Sequence, residues 1–264
     1  MDYFEFILYG LIQGFTEFFP ISSTAHLKVI SLLLGINDPG PSLSAVIQFG
    51  SVFAILWYFK NDFFKNNQKK NFFDYSSHKK FLISIFIATI PIVFLGGSIK
   101  IFAPIFFDKI LRSNLSIAII SFVMAFYMYR ADISKKGFIN IKNHNYSDSL
   151  FIGFSQAFSI LPGVSRSGIT ISSALLSGWE EKDAVKFSFI LGMPAISLAA
   201  IVESISSLDV LISSNFFPLL VGIATAFLSS LIAIKFLLTY LPSNGMKLFI
   251  YYRVIFGVVI LLNL

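Results

Sequence analysis

Two short polar stretches interrupt an otherwise apolar chain, and their residue types suit chemistry on a phosphate. The first, Gln13-Gly-Phe-Thr-Glu-Phe-Phe-Pro-Ile-Ser-Ser-Thr-Ala-His26, holds a carboxylate (Glu17), an imidazole (His26) and three consecutive hydroxyls (Ser22, Ser23, Thr24) within fourteen residues. The second, Pro162-Gly-Val-Ser-Arg-Ser-Gly168, carries one fixed cation, Arg166, between Ser165 and Ser167. An ionisable group at membrane depth costs a few kcal/mol or more, so its presence there points to function. Arginine pairs two phosphate oxygens with its planar fork. Gly163 and Gly168 let backbone come close to a ligand, and a helix starting near Ile169 would aim free N–H groups at it. A carboxylate beside a bound phosphate is repulsive unless it acts as a base or a divalent cation lies between. Glu17 is therefore also the candidate ligand for Mg²⁺ or Ca²⁺, which prefer oxygen donors. Together the two stretches form a phosphoryl-transfer constellation, in which positioning and charge neutralisation do most of the work.

Each residue also has a structural reading. Glu17 and Arg166 could form an ion pair, His26 could be a hydrogen-bonded core histidine, and the Ser22–Thr24 run could be a helix cap. Gln48 and Gln156 could bond between helices. His78 and His144, in basic loops, are expected to be solvated, and Glu203 interfacial.

The elements that must position these residues are helical. Pro20 breaks a helix, Gln13 and Glu17 share a face four residues apart, and Ser23 is placed to cap the piece that follows. Neither half reaches the ~20 residues needed to span a bilayer. Apolar runs over residues 42–59, 81–103, 115–129, 184–201, 216–240 and 246–264 read as crossings, with a kink expected around Pro91. Each half of the chain thus reads as a broken pair followed by three crossings. Gly10 and Gln13 precede Pro20 much as Gly153 and Gln156 precede Pro162. An odd number of crossings inverts the second half, so the expected fold is an all-α integral membrane protein of two inverted-topology repeats, each a re-entrant broken helix pair plus three transmembrane helices. The repeats cover about 1–130 and 147–264 of a single membrane domain, joined by a basic loop at about 131–146. The two breaks would meet near mid-membrane, where irregular backbone needs protein or a wet cavity around it.

Composition agrees. The 264 residues are 56% hydrophobic and 13% charged, with a mean hydropathy of +0.79; soluble domains carry about twice that charge. There is no cysteine, which excludes disulfides and thiol catalysis. The net charge of +6 does not call for nucleic acid: residues 60–80 hold six lysines against two aspartates, and residues 130–142 are again basic, as cytoplasmic loops are. The N-terminus lacks the basic region of a signal peptide, so no cleavage is expected.

The first stretch and the Pro162–Gly168 stretch, with Val46-Ile-Gln48-Phe-Gly50-Ser and Phe187-Ser-Phe-Ile-Leu-Gly192, resemble the bacitracin-resistance family of undecaprenyl-diphosphate phosphatases along essentially the whole chain. The resemblance implies hydrolysis of undecaprenyl diphosphate to the monophosphate and inorganic phosphate with a divalent cation. It implies a place in the bacterial inner membrane with the site open to the outer side, a role in recycling the lipid carrier of cell-wall synthesis, and bacitracin resistance. A homodimer is left open by the sequence. By the same resemblance Glu17, His26, Ser23 and Arg166 are the catalytic candidates. The resemblance also matches Ser22 and Ser165, and these with Gln13, Thr24, Gln48, Ser167 and Gly163, taken from their residue types and places, are the substrate-binding candidates. His26, Ser23 or water could be the attacking group. Gln13 stands where many members carry a second glutamate, and Ala25 where glycine is usual. The alternative from another class is a lipid or anion transporter or flippase, since transporters also use inverted repeats with broken helices.

Overall fold

The computed structural model describes residues 2–36, 38–60, 75–102, 111–134, 137–206 and 216–263. Most of the lysine-rich 60–80 loop, and the Asp108–Lys109 loop, lie outside them. Among the described residues there are eleven α-helices and no strand; the β pairing present is the isolated bridge Ile139–Trp179. In chain order the helices are α1 (Tyr3–Phe18), α2 (Ser23–Leu34), α3 (Gly40–Ile47), α4 (Phe49–Tyr58), α5 (Tyr75–Phe102), α6 (Asn114–Asp132), α7 (Tyr146–Ala157), α8 (Arg166–Leu176), α9 (Glu181–Ser206), α10 (Phe216–Asn244) and α11 (Lys247–Leu262).

The ends of the broken pairs follow from local chemistry. α1 opens with a capping box in which Asp2 accepts from the Glu5 N–H and Glu5 accepts from the Asp2 N–H, both at 2.9 Å. It stops at Phe18 because Phe19 precedes proline, which drives it to extended backbone; its φ and ψ are −65° and 140°. The second break repeats this. An Asn145–Asp148 capping box opens α7, and after one 3₁₀ turn Leu161, before Pro162, is extended at φ −68° and ψ 122°. The next half-helix then starts from a serine at positive φ in each case, Ser22 (75°) before α2 and Ser165 (68°) before α8. These are the two non-glycine residues with positive φ among the described residues.

Two details differ from expectation. Ser22, not Ser23, occupies the N-cap position of α2, and its side chain makes no capping bond. α8 begins at Arg166 rather than near Ile169, capped by the Ser165 hydroxyl accepting from the Gly168 N–H at 3.2 Å.

Among the described residues, five helical segments are long and apolar enough to cross a membrane: Gly40–Tyr58, Lys79–Ile99, Asn114–Asp132, Glu181–Ser206 and Phe216–Asn244. The protein is thus a multi-pass membrane protein. α11, over the expected sixth crossing, has 16 residues. α5 runs without interruption through Pro91.

α1 lies along α10 and α7 along α5, with α6 against α11. Small residues permit the first two contacts: a Cβ on Gly14 would sit 2.0 Å from Ser229 Oγ, and one on Gly153 2.5 Å from the Ala88 carbonyl. Without a hydrophobic drive between helices in lipid, such close approach is what holds them. The largest buried cluster gathers residues of α4, α5, α8, α9 and α10, with Phe187, Phe189, Ile171 and Trp179 among its fully buried members. Long apolar side chains such as Phe86, Phe94 and Phe126 face outward, as lipid contact requires.

One loop expectation is overturned. His144 is fully buried rather than solvated. Its Nε2 is 2.8 Å from Ser84 Oγ and its Nδ1 2.8 Å from the Ile141 carbonyl, and its ring packs on Trp179 and Phe187. The loop folds back onto the far end of α8 instead of standing in solvent. Burial lowers the His144 pKa below its ordinary value of 6.5, against a smaller opposing effect of the Ile141 carbonyl. The side chain of His78 lies outside the described residues.

Candidate active site

The two breaks meet. Ser167 Oγ donates to the Phe19 carbonyl at 3.1 Å, and Arg253 of α11 ties both loops together. Its guanidinium donates to the Pro20 carbonyl at 2.9 Å, to the Val164 carbonyl at 3.3 Å and to the Gly163 carbonyl. These oxygens belong to backbone that has left its helix, and each would otherwise be a buried acceptor without a partner.

At this junction Glu17 and Arg166 form an ion pair, Glu17 Oε1 accepting from Nη2 at 2.9 Å, with side chains 5% and 8% exposed. The structural reading of this pair is realised, and a functional one is compatible with it. Arg166 Nη1 donates to the Ser188 carbonyl at 3.1 Å, while its Nε–H is buried and has no partner in the protein. The guanidinium lies across the α9 backbone at Gly192, where any Cβ would come 1.8 Å from Nη1. Glycine there makes room for the cation.

Glu17 Oε2 collects three donors: Gln13 Nε2 at 2.9 Å, Ser23 Oγ at 3.0 Å and Gln48 Nε2 at 3.1 Å. The carboxylate therefore orients both amides and the Ser23 hydroxyl. A cavity of about 240 Å³ opens beside this network, with Thr16, Glu17, Ser22, Ser23, Thr24, Gln48, Ser165 and Arg166 among its polar lining residues. Its lining also includes Ser159 and the apolar residues Ile92, Ile160, Leu161, Ala195, Ile196 and Ala199. A second cavity of about 290 Å³ shares Ser23, Thr24 and Gln48 and adds Gln13, Lys28, Asp38, Arg112 and Glu203.

The expected site residues are thus divided. Glu17, Ser22, Ser23, Thr24, Gln48, Ser165 and Arg166 border the first cavity, and Gln13 the second. Ser167 is fully buried and serves the contact between the breaks. Gly163 has φ +99°, a turn that glycine supplies without strain, and offers its carbonyl to Arg253.

His26 is placed apart from the cavity lining. It is 3% exposed. Nδ1 is 2.7 Å from the Ser22 carbonyl and Nε2 2.6 Å from Tyr252 Oη, and the ring stacks on Phe256 with centroids 4.2 Å apart. With both nitrogens engaged, it fixes the positive-φ turn at Ser22 and so the direction of Ser23. Arg253 and Tyr252 were not singled out in the sequence. The signal was present: a charged residue inside the apolar 246–264 run is as conspicuous, by the membrane cost of charge, as Glu17.

The same residues fit a divalent cation poorly. Among the described residues no group of three or more His, Asp or Glu side chains could hold one. Glu17 already accepts four donors, three on Oε2 and Arg166 on Oε1, so a cation would compete with them for the carboxylate's lone pairs. The donor set does not suit a cation held by the protein alone.

What the geometry offers is a hydroxyl aligned on a carboxylate, an arginine beside it, and a cavity lined by both polar and apolar residues. Comparison with known proteins identifies the family. The model of the family described as bacitracin resistance protein BacA matches residues 6–259. A protein named undecaprenyl-diphosphatase from Prochlorococcus marinus (strain AS9601) is 69% identical, across 100% of this chain and 97% of its own length. Proteins of the same name from strains MIT 9515 and NATL2A are 58% and 44% identical. The first match covers 100% of both chains, and the second 99% of this chain and 96% of the relative.

Proposed function

This chain belongs to the bacitracin resistance protein BacA family, and from that premise we propose that it hydrolyses undecaprenyl diphosphate to undecaprenyl phosphate and inorganic phosphate. One observation carries the reading to this site: the Ser23 hydroxyl borders the cavity and donates to Glu17 at 3.0 Å, as a nucleophile and its base should.

The terminal phosphate lies against Arg166, which borders the cavity and whose planar guanidinium suits phosphate oxygens. Ser23 Oγ bonds to the terminal phosphorus as its proton passes to Glu17. The bridging P–O bond breaks, and undecaprenyl phosphate leaves with the electron pair and takes up the proton. Glu17, again a carboxylate, removes a proton from water as that water attacks the phosphoserine. The Ser–O–P bond breaks, Ser23 recovers a proton, and inorganic phosphate departs. Arg166 balances the charge on the equatorial oxygens throughout. His26 and Arg253 act on this chemistry through the backbone they hold. The apolar wall at Ile92, Ile160 and Ile196 is where the prenyl chain leaves the site for the bilayer.

The same reading sets the protein in the bacterial inner membrane with the cavity reached from the outer side, where recycling the carrier lipid would also withdraw the target of bacitracin. Two inverted repeats are supported by reciprocity. Gly10 of α1 packs on Gly222 of α10, and its counterpart Gly153 of α7 packs on Ala88 of α5. Each break also has an extended residue before proline and a serine at positive φ.

The test is to quench turnover of substrate labelled in its terminal phosphate and to map the label. A phosphorylated Ser23 peptide is expected, absent in Ser23→Ala. Label on His26, or active enzyme that never carries label, would remove Ser23 from the attacking role.

A further inference from the structure

The surroundings of Glu17 disfavour a free cation. Besides its arginine partner, three groups are directed at the carboxylate: the Gln13 and Gln48 amides and the Ser23 hydroxyl, all presenting hydrogen at 2.9–3.1 Å. A cation binding Oε2 would have to turn these dipoles away first. The fourth donor, Arg166 on Oε1, neutralises the charge that would draw the cation in. The cavity next door offers little more: its carboxylates, Asp38 and Glu203, share the lining with Lys28 and Arg112. A diphosphate, by contrast, brings several anionic oxygens of its own, and Mg²⁺ is commonly held by substrate phosphates with few protein ligands.

We propose, resting on the diphosphatase reading above, that the substrate of this site is the complex of a divalent cation with the diphosphate, and that the site holds no resident cation because Gln13 places an N–H donor where a second carboxylate would create a metal site. The amide is the deciding group. Gln13→Glu would set two carboxylates four residues apart on one helix face. They would repel each other unless a cation or a proton lay between them.

Equilibrium dialysis of the full chain in detergent tests this, using Mn²⁺ as the metal and methylenediphosphonate as the non-hydrolysable diphosphate, with metal and phosphorus both assayed. The expected result is that wild type and Glu17→Gln retain the same background of Mn²⁺ alone. With methylenediphosphonate, wild type gains metal and diphosphonate together, and Arg166→Ala loses both. Gln13→Glu is expected to retain Mn²⁺ without diphosphonate, with an affinity raised about tenfold or more. One equivalent of Mn²⁺ held by wild type alone and lost in Glu17→Gln would overturn the proposal. Diphosphonate retained without accompanying metal would overturn it as well, while leaving the diphosphatase reading standing. Retention of neither ligand would overturn both.

Discussion

Ser23 and Glu17 carry the account at the scale of single residues. The Ser23 hydroxyl is half-buried and bonded to Glu17. Its removal should cost only about 1 kcal/mol of stability but should lower phosphate release by roughly 10²–10⁴-fold, the range of a lost acid–base-coupled nucleophile. Parallel melting curves and activity assays of Ser23→Ala check the split; a large loss in both would make the serine structural. Glu17→Ala differs, because it strands Arg166 as a buried unpaired cation and should cost about 3–5 kcal/mol of stability as well as activity. Much of this was legible in the sequence. A carboxylate, an arginine and a hydroxyl run stand out in apolar surroundings, where physics makes them costly. The role of His26 was not legible. Its partners, Ser22 backbone and Tyr252, are set by a turn geometry and by a contact spanning 226 positions, neither of which residue types encode.

At the scale of elements, the two breaks were legible and their details were not. Proline explains why α1 and α7 end where they do, and the sequence shows both prolines. It does not show that a serine at positive φ restarts each chain, because nothing in Ser22 or Ser165 distinguishes it from the neighbouring serines. Ser22 holds φ 75° without a side-chain capping bond, a strain of order 1–3 kcal/mol. Ser22→Gly should therefore raise thermal stability by up to about 1 kcal/mol; a fall in melting temperature would show that the Ser22 side chain supports the turn. Gly192 supplies the opposite case. Its Cα lies under the Arg166 guanidinium, so the methyl of Gly192→Ala must push the cation aside. Overpacking costs about 1–3 kcal/mol, yet activity should fall far more than stability does, since a displacement near 1 Å at a catalytic group can cost about 10²-fold. Retained activity in that variant would mean Arg166 works from another position.

At the scale of the molecule, long apolar helices and close α1–α10 and α5–α7 contacts hold the breaks against each other. The all-helical membrane character was written in the hydropathy of the chain. The folding of the 137–145 loop onto α8 was not, because polar composition suggested solvent while the Ser84, Ile141 and Trp179 contacts of His144 are tertiary. That burial has a pH consequence. The folded-state pKa of His144 lies below 6.5, so as pH falls the unfolded chain takes up the proton first. The stability contributed is complete above 6.5 and declines as pH drops from there to the folded-state value. Melting temperature should thus fall across the mildly acidic range, and His144→Gln should remove that part of the slope; an identical slope in both proteins would contradict the assignment.

The central claim is that both breaks form one site that hydrolyses a prenyl diphosphate. The direct measurement is phosphate release from undecaprenyl diphosphate by purified, detergent-solubilised protein, comparing wild type with Glu17→Ala from the first break and Arg166→Ala from the second, each verified as folded. The account predicts release by wild type and collapse in both variants. No release from folded wild type would contradict it and turn attention to lipid or anion transport, and release surviving in Arg166→Ala would contradict the union of the two breaks in one site.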